Sequence, residues 1–427
     1  MELGSSVKII CFAEEDWNDT GKRVQHLMRE LSERREVEAV LYVNPPLSHS
    51  IKDALQGRVQ PTWSGLPREL HGRALLGWPN RVSDKVVAYT GSDKLLPLTR
   101  FGWIRQLSPL AYLNRTIYLS RIQSQLRRLP GASTIVWVSY PLHAPVAMRI
   151  RGRALLVYDW MDDWEQFKTL PVADVGVLRA ATESLVRSAD VVLAVSDKLH
   201  RRARALNPNS HLVPNGTHFD RFALPLLPVE GCLAAVPRPR LGYVGRIGDR
   251  IDFSLLEGLV RAHPEWALVL VGPVWEPVRE EMDRIQRYPS VFSLGPRPYD
   301  ELPALIAGFD VCLIPHTVDM LTASMDPIKL YDYLAAGKPV VTTAIAGTER
   351  FADLLYVAES PFEFEAKVAA ALEERDPDLV ERRQRCAREN SWETRAAQIW
   401  ALIREAHSRR LLGTLPAGAG QVGEATP

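Results

Sequence analysis

Within the stretch PIKLYDYLAAGKPVV, Pro327 to Val341, a lysine and an aspartate stand three positions apart, Lys329 and Asp332. The pattern predicts a helix here: Asp326 at the capping position, Pro327 as its first residue, and Ala335-Ala336-Gly337 closing it before the strand VVTT. Residues three apart share a helix face. The amino end of a helix presents unpaired N–H groups and the positive end of the peptide dipole, which together make a seat for an anion. Lys329, in the first turn, adds a full positive charge suited to phosphate, and the Asp332 carboxylate can accept hydrogen bonds from a ribose diol. The plain alternative is a surface Lys–Asp pair. The order of strand DVCLIPH, loop TVDMLTASM and helix favours the ligand reading, because open α/β sheets bind ligands beyond the carboxyl ends of their strands.

A second phosphate candidate is LGYVGRIGDR, 241–250, where Gly242, Gly245 and Gly248 follow a strand with Arg246 among them. The spacing is G-x-x-G-x-x-G, not the dinucleotide fingerprint. A glycine turn lets backbone and guanidinium approach an anion, although glycines at strand ends are also ordinary turn formers.

The third constellation is VYDWMDDWEQF, 157–167, with Asp159, Asp162 and Asp163 among aromatic residues at the end of a strand. A carboxylate at such a place, facing a cleft, can deprotonate an acceptor hydroxyl. Asp162 or Asp163 is the candidate base; Asp159 belongs to the acceptor pocket or to the framework. Capping of the next helix, pairing with Arg149–Arg153 and metal binding are the competing readings. The first loop, AEEDWNDTGKRVQHL, 13–27, contributes Trp17, Arg23 and His26 as further acceptor-side candidates. A lone histidine on a helix is, as a bland reading, simply packed.

The elements that must position these groups alternate. VKIICFA, VEAVLYV, STIVWVS, ALLVYD, DVVLAVS and HLVPNG read as strands separated by helical patterns, the signature of parallel α/β structure. After the Pro-rich approach FALPLLPVEGCLAAVPRPR, 222–240, the alternation restarts. Two alternating units joined by a linker predict an α/β chain of two doubly wound Rossmann-like domains facing each other across a cleft. The predicted boundaries are 1–215 for the acceptor domain, 216–390 for the donor domain, 391–412 for a helix crossing back, and a disordered tail at 413–427. A length of 427 residues fits that division.

With these motifs in hand, the chain resembles the GT-B fold glycosyltransferases of the family 4-like group. PIKLYDYLAAGKPVV looks like their P-x-K-L-x-E-Y-L-A-A-G-K-P-V-V segment, SADVVLAVSDKL and HLVPNGTHFDRF like the last strand of the first domain and the V-P-N-G-V-D crossover, and N-S-W-E, 390–393, like the start of the returning helix. FSLGPRPYDELPALIAGFDVCLIPH resembles their base-contacting loop, helix and strand. The resemblance implies a nucleotide-diphosphate sugar as donor, its diphosphate held by Gly245, Arg246 and Lys329, its ribose by Asp332, and its base facing Leu294, Gly295, Pro296 and Arg297. It implies transfer to a hydroxyl of a glycan or lipid-linked saccharide, with no metal ion and no other cofactor. The chain departs from the group at three positions: Ser324 replaces a glutamate, Asp332 is aspartate rather than glutamate, and Ile251 replaces a lysine whose charge Arg250 or Lys329 would supply. These departures place it in a subgroup and leave retention or inversion open. An epimerase of the same fold, or a weakly active nucleotide-sugar-binding partner protein, are the alternatives.

Net charge is only +1, but Lys94 to Tyr158 holds no acidic residue and ten lysines and arginines. Within it 101–128 predicts a basic amphipathic helix with Tyr118, Ile122 and Leu126 on one seam, suited either to anionic lipid or to an ordinary core. No nucleic-acid motif accompanies it. The cysteines Cys11, Cys232, Cys312 and Cys386 are isolated, which fits a reducing cytoplasm, and no leader or spanning segment is expected. The expected location is thus cytoplasmic, with peripheral contact at the inner face of the membrane.

Overall fold

The computed structural model describes residues 6–17, 21–46, 77–91, 109–167, 175–223, 231 and 233–413. Residues 414–427 of the expected tail, Cys232 and the first part of the basic segment fall outside them.

The first domain is an eight-stranded sheet built from β1 (Val7–Phe12), β2 (Val37–Val43), β3 (Trp78–Arg81), β4 (Val86–Thr90), β5 (Ser133–Val138), β6 (Arg153–Trp160), β7 (Val191–Ala194) and β8 (Ser210–Leu212). Their order is β3-β4-β2-β1-β5-β6-β7-β8, parallel throughout except for the β3–β4 pair. Strands covered on both faces must be apolar on both, and VKIICF is buried at nearly every position. Helix Arg23–Ser32 covers one face, directing Val24, Leu27, Met28 and Leu31 into the core.

The second domain is a six-stranded parallel sheet of β9 (Arg240–Val244), β10 (Ala267–Val271), β11 (Val291–Gly295), β12 (Val311–Ile314), β13 (Val340–Thr343) and β14 (Tyr356–Ala358). Its order is β11-β10-β9-β12-β13-β14. In each sheet the order reverses at one point, β1 against β5 in the first and β9 against β12 in the second, and such reversals open a crevice at the strands' carboxyl ends.

The chain crosses between domains twice, side by side. Thr217 of the outgoing segment bridges Ser391 of the returning one, with Thr217 N–H donating to the Asn390 carbonyl and Trp392 N–H to that of Thr217. A Cβ on Gly216 would lie 2.7 Å from the Asn390 carbonyl oxygen, so this glycine of V-P-N-G permits the pairing. Ser391 then caps helix Trp392–Leu411 by accepting from Thr394 N–H. That helix buries Trp392, Ile399, Trp400 and Ile403 against the first domain, each worth about 1.5–3 kcal/mol of apolar burial.

Helix Pro109–Arg128 does pack Tyr118, Ile122 and Leu126 into the core of the first domain. Its outer side shows Tyr112 and Leu113 with Arg127 and Arg128 at its end. Among the described residues no helix is long and apolar enough to cross a membrane.

Candidate functional site

The helix from the opening motif spans Ile328–Ala335, and no side chain caps its amino end. Asp326, expected as that cap, is turned away. It accepts from Asn215 N–H at 2.6 Å, from Arg350 at 2.6 Å and from the Tyr331 hydroxyl at 2.9 Å. Asn215 comes from the crossover, a partner that local spacing does not disclose.

Lys329 reaches back beneath the glycine turn. Its ammonium lies 3.7 Å from the centroid of the Tyr243 ring. Gly245, with φ of +133°, would place a Cβ 2.9 Å from that nitrogen, so the turn must be glycine for the lysine to enter. Burial first, then the positive charges of Arg250 and Lys22, push the Lys329 ammonium well below the ordinary lysine range. The other two glycines serve differently: Gly242 makes room for the Phe309 ring and Gly248 lies beside Trp275.

Arg246 and Arg250 both reach across to the first domain. Arg246 pairs with Glu15 at 2.9 Å and Arg250 with Asp162 at 3.4 Å. Lys22 joins Glu15 at 3.4 Å. Burial would raise Glu15, but Lys22 and Arg246 outweigh it and hold that carboxyl low. Four cations, Lys22, Arg246, Arg250 and Lys329, thus gather where the helix end, the glycine turn and the first domain meet. Ile251, standing where the family-like pattern has a lysine, is buried and bridges His316, while its neighbour Arg250 brings the charge to the cleft.

Asp332 sits on the buried side of the helix, accepting from the Thr217 hydroxyl at 2.7 Å. Burial raises its carboxyl to about 7, with the Thr217 bond opposing. Arg297 folds back onto its own loop, donating to the Leu294 carbonyl at 3.2 Å and lying 3.7 Å from Glu301.

On the first-domain side of the cleft the aspartates separate. Asp162 is partly exposed in the cleft, and burial raises its carboxyl despite the opposing charge of Arg250. Asp163 is buried, paired with Arg202 at 3.0 Å and accepting from Ser324 of the other domain at 3.2 Å. Its geometry is that of a strut between domains, and Ser324 is the matching half. Arg23 and Asp159, both read as acceptor residues, face each other instead: a buried pair at 2.9 Å, with Arg23 also donating to the Pro214 carbonyl and Asn215. His26 is packed, stacked on Trp392 and 2.8 Å from a ring nitrogen of His218. Trp17 lies edge-on to Tyr42 beneath Arg29.

Three residues at the cleft escaped the sequence reading. Glu14 accepts from Ser139 at 2.8 Å across the β1/β5 crevice, and burial with the Glu15 charge raises it to about 8. Glu15 is the second. Their position just beyond β1 was the available signal. The third is His316, two residues past β12. Among the described residues no group of three or more His, Cys, Asp or Glu is arranged to hold a metal ion.

Residues 238–374 match the family model described as Glycosyl transferases group 1. The second domain is a glycosyltransferase domain. A protein of Bacillus subtilis named as a teichuronic acid biosynthesis glycosyltransferase, TuaH, is 26% identical over 285 residues, 63% of this chain and 71% of the relative. Among solved structures, sucrose-phosphate synthase of Thermosynechococcus elongatus superposes with a TM-score of 0.67 at 16% identity, covering 94% of this chain and 99% of the other. The trehalose-phosphate synthase of Burkholderia vietnamiensis gives 0.65 at 13% identity, over 95% and 98%. HepE of Anabaena, solved with UDP and glucose, gives 0.60 at 17%, over 92% and 98%. These likenesses show the two-domain GT-B fold for the glycosyltransferase as a whole.

Proposed function

We propose that this glycosyltransferase moves a sugar from a nucleotide-diphosphate donor to a hydroxyl of a glycan or lipid-linked saccharide in cell-surface polysaccharide synthesis. The observation that carries the reading is the convergence of Lys329, Arg246 and Arg250 on the uncapped end of helix Ile328–Ala335 beside the Gly245 turn. Negative charge grows on the departing diphosphate as the glycosidic bond breaks, and preorganised cations at that place lower the barrier. In this reading side chains, rather than a metal ion, neutralise the leaving group. Asp332 serves the ribose and the loop around Gly295 the base. The similarity to TuaH, named for teichuronic acid, supports an extracellular polymer as the product's destination.

Asp162 is the proposed base. It borders the cation cluster from the opposite domain, and attack by the hydroxyl it activates on the face away from the departing diphosphate inverts the anomeric centre. A thermal-shift panel of nucleoside diphosphates and nucleotide sugars tests the donor site, since a ligand that binds only the folded state raises the melting point. The expected result is stabilisation by diphosphates of one base; no shift with any of them defeats the proposal. Donor consumption must then require an acceptor, which separates transfer from epimerisation.

The outer side of helix Pro109–Arg128 is the proposed contact with the inner membrane face, through Tyr112, Leu113, Arg127 and Arg128. Sedimentation with phosphatidylglycerol vesicles, but not with phosphatidylcholine, is the expected result. Equal recovery with both removes the membrane contact.

A further inference from the structure

The reversal of strand order in the second domain lies between β9 and β12. Gly245 follows the last residue of β9, and His316 stands two residues beyond β12, so the two face each other over one crevice. Lys329 enters from below, on the Tyr243 ring, and the His316 ring borders the same tyrosine, 6.2 Å between centroids.

The backbone of His316 is fixed. Its carbonyl accepts from the Thr343 hydroxyl at 2.7 Å and its own backbone bridges Ile251. Its side chain is 3% exposed, and neither ring nitrogen has a hydrogen-bond partner. Among the described residues it is the one buried side chain with two unpaired polar atoms. Burial, then the charges of Lys329 and Arg250, hold the ring well below the ordinary histidine range and therefore neutral. A neutral imidazole still carries one N–H donor and one acceptor. Such a ring adds a hydrogen bond for an anion without adding a further cation to a cluster that already repels itself.

We propose that His316 is a ligand for the β-phosphate of the donor, donating its ring N–H to a phosphate oxygen in the β9/β12 crevice. This rests on the nucleotide-diphosphate reading of the site. Strand order says which phosphate. The base loop follows β11, three strand spacings from β12, about 14 Å. A nucleotide laid from that loop across the carboxyl ends brings its distal phosphate, not its proximal one, to His316.

The test compares UDP with UMP by isothermal titration calorimetry, with ADP/AMP and GDP/GMP pairs run beside them. Wild type, His316→Phe and His316→Asn are the three proteins. For the base that binds, His316→Phe is expected to weaken the diphosphate about tenfold or more while changing the monophosphate less than about twofold, the size of a lost hydrogen bond to a charged group. His316→Asn keeps a donor and recovers part of the loss. The melting point of the ligand-free phenylalanine variant should equal or exceed that of wild type, because an unpaired buried polar group is removed. Equal loss for both nucleotides, or none for either, overturns the assignment. If the phenylalanine variant does not fold, wild type labelled with 15N at histidine decides: the imidazole signal missing from His316→Asn must move with UDP and not with UMP, and a signal that stays put overturns it. Wild type that binds no diphosphate overturns the reading of the whole site as well; wild type that binds but shows no His316 effect overturns only this inference.

Discussion

Arg250 of the second domain and Asp162 of the first meet across the cleft, 3.4 Å between Nη2 and Oδ1. Arg246 and Glu15 repeat the relationship at 2.9 Å. Both arginines also belong to the cation cluster, so a diphosphate bound as proposed would compete with these carboxylates for them. A carboxylate that loses its cation becomes a stronger base. The donor would thereby prepare Asp162 for the acceptor, giving an ordered reaction.

Replacing Arg250 by methionine tests that coupling. The donor KM should rise roughly 10- to 100-fold, as expected for a lost charge-assisted contact. Without Arg250 the Asp162 carboxyl titrates higher, so the acidic limb of the pH–rate profile should move to higher pH. An unshifted limb separates Asp162 from the base role.

The neighbouring aspartates should fail differently. Asp162→Asn is expected to lower kcat by about 10²–10⁴, the usual contribution of a general base, with nucleotide affinity kept or improved. Asp163→Asn leaves Arg202 and Ser324 with a weaker partner and should cost about 1–3 kcal/mol of stability in urea unfolding.

The Gly245→Ala change places a methyl group 2.9 Å from the Lys329 ammonium at a backbone φ of +133°. Donor affinity should drop about tenfold as the lysine is displaced, with the fold retained. Titration of the variant with a nucleoside diphosphate measures it.

Asp332 has a folded-state carboxyl at about 7, raised from 3.8 by burial. The folded protein therefore binds more protons than the unfolded chain between those values, and stability falls as pH rises through them. Asp332→Asn should raise the melting point of the ligand-free protein at pH 8, with the gain vanishing near pH 4, while nucleotide binding weakens. A melting point gain that does not depend on pH contradicts the assigned shift.

Arg23 and Asp159 form a buried pair, and removing one partner strands a charge. Arg23→Met should cost about 3–5 kcal/mol in denaturant unfolding. A soluble, stable variant with altered acceptor use would instead restore the role first assigned to both residues.

What the sequence disclosed was whatever lies close along the chain. Lys329 and Asp332 share one helix, Gly245 and Arg246 one turn, and Asp162 lies two residues past a strand, so spacing and strand-end position single them out as candidates. The alternating apolar runs carried the two-sheet architecture for the same reason. Asp326 was misassigned because its partner, Asn215, is 111 residues away. Arg23 and Asp159 looked like cleft residues until a contact spanning 136 residues joined them. The β3–β4 pair was missed because WPNR is short, polar and interrupted by proline, and pairing alone makes it a strand. His316 reads as an ordinary residue after a strand; only burial and the absence of a partner for its ring distinguish it.

Thr217 and Ser391 lie paired, so outgoing and returning chain form a two-ply strap between the lobes. A strap of two adjacent plies bends and twists more readily than it slides, and any opening of the cleft must flex both plies together. The returning ply also delivers helix Trp392–Leu411 to the first lobe. A dye attached at Leu412 therefore rides with the first lobe, although that residue follows the second lobe in the polypeptide, and energy transfer from it to a dye on the exposed Phe362 would register the gap between lobes directly.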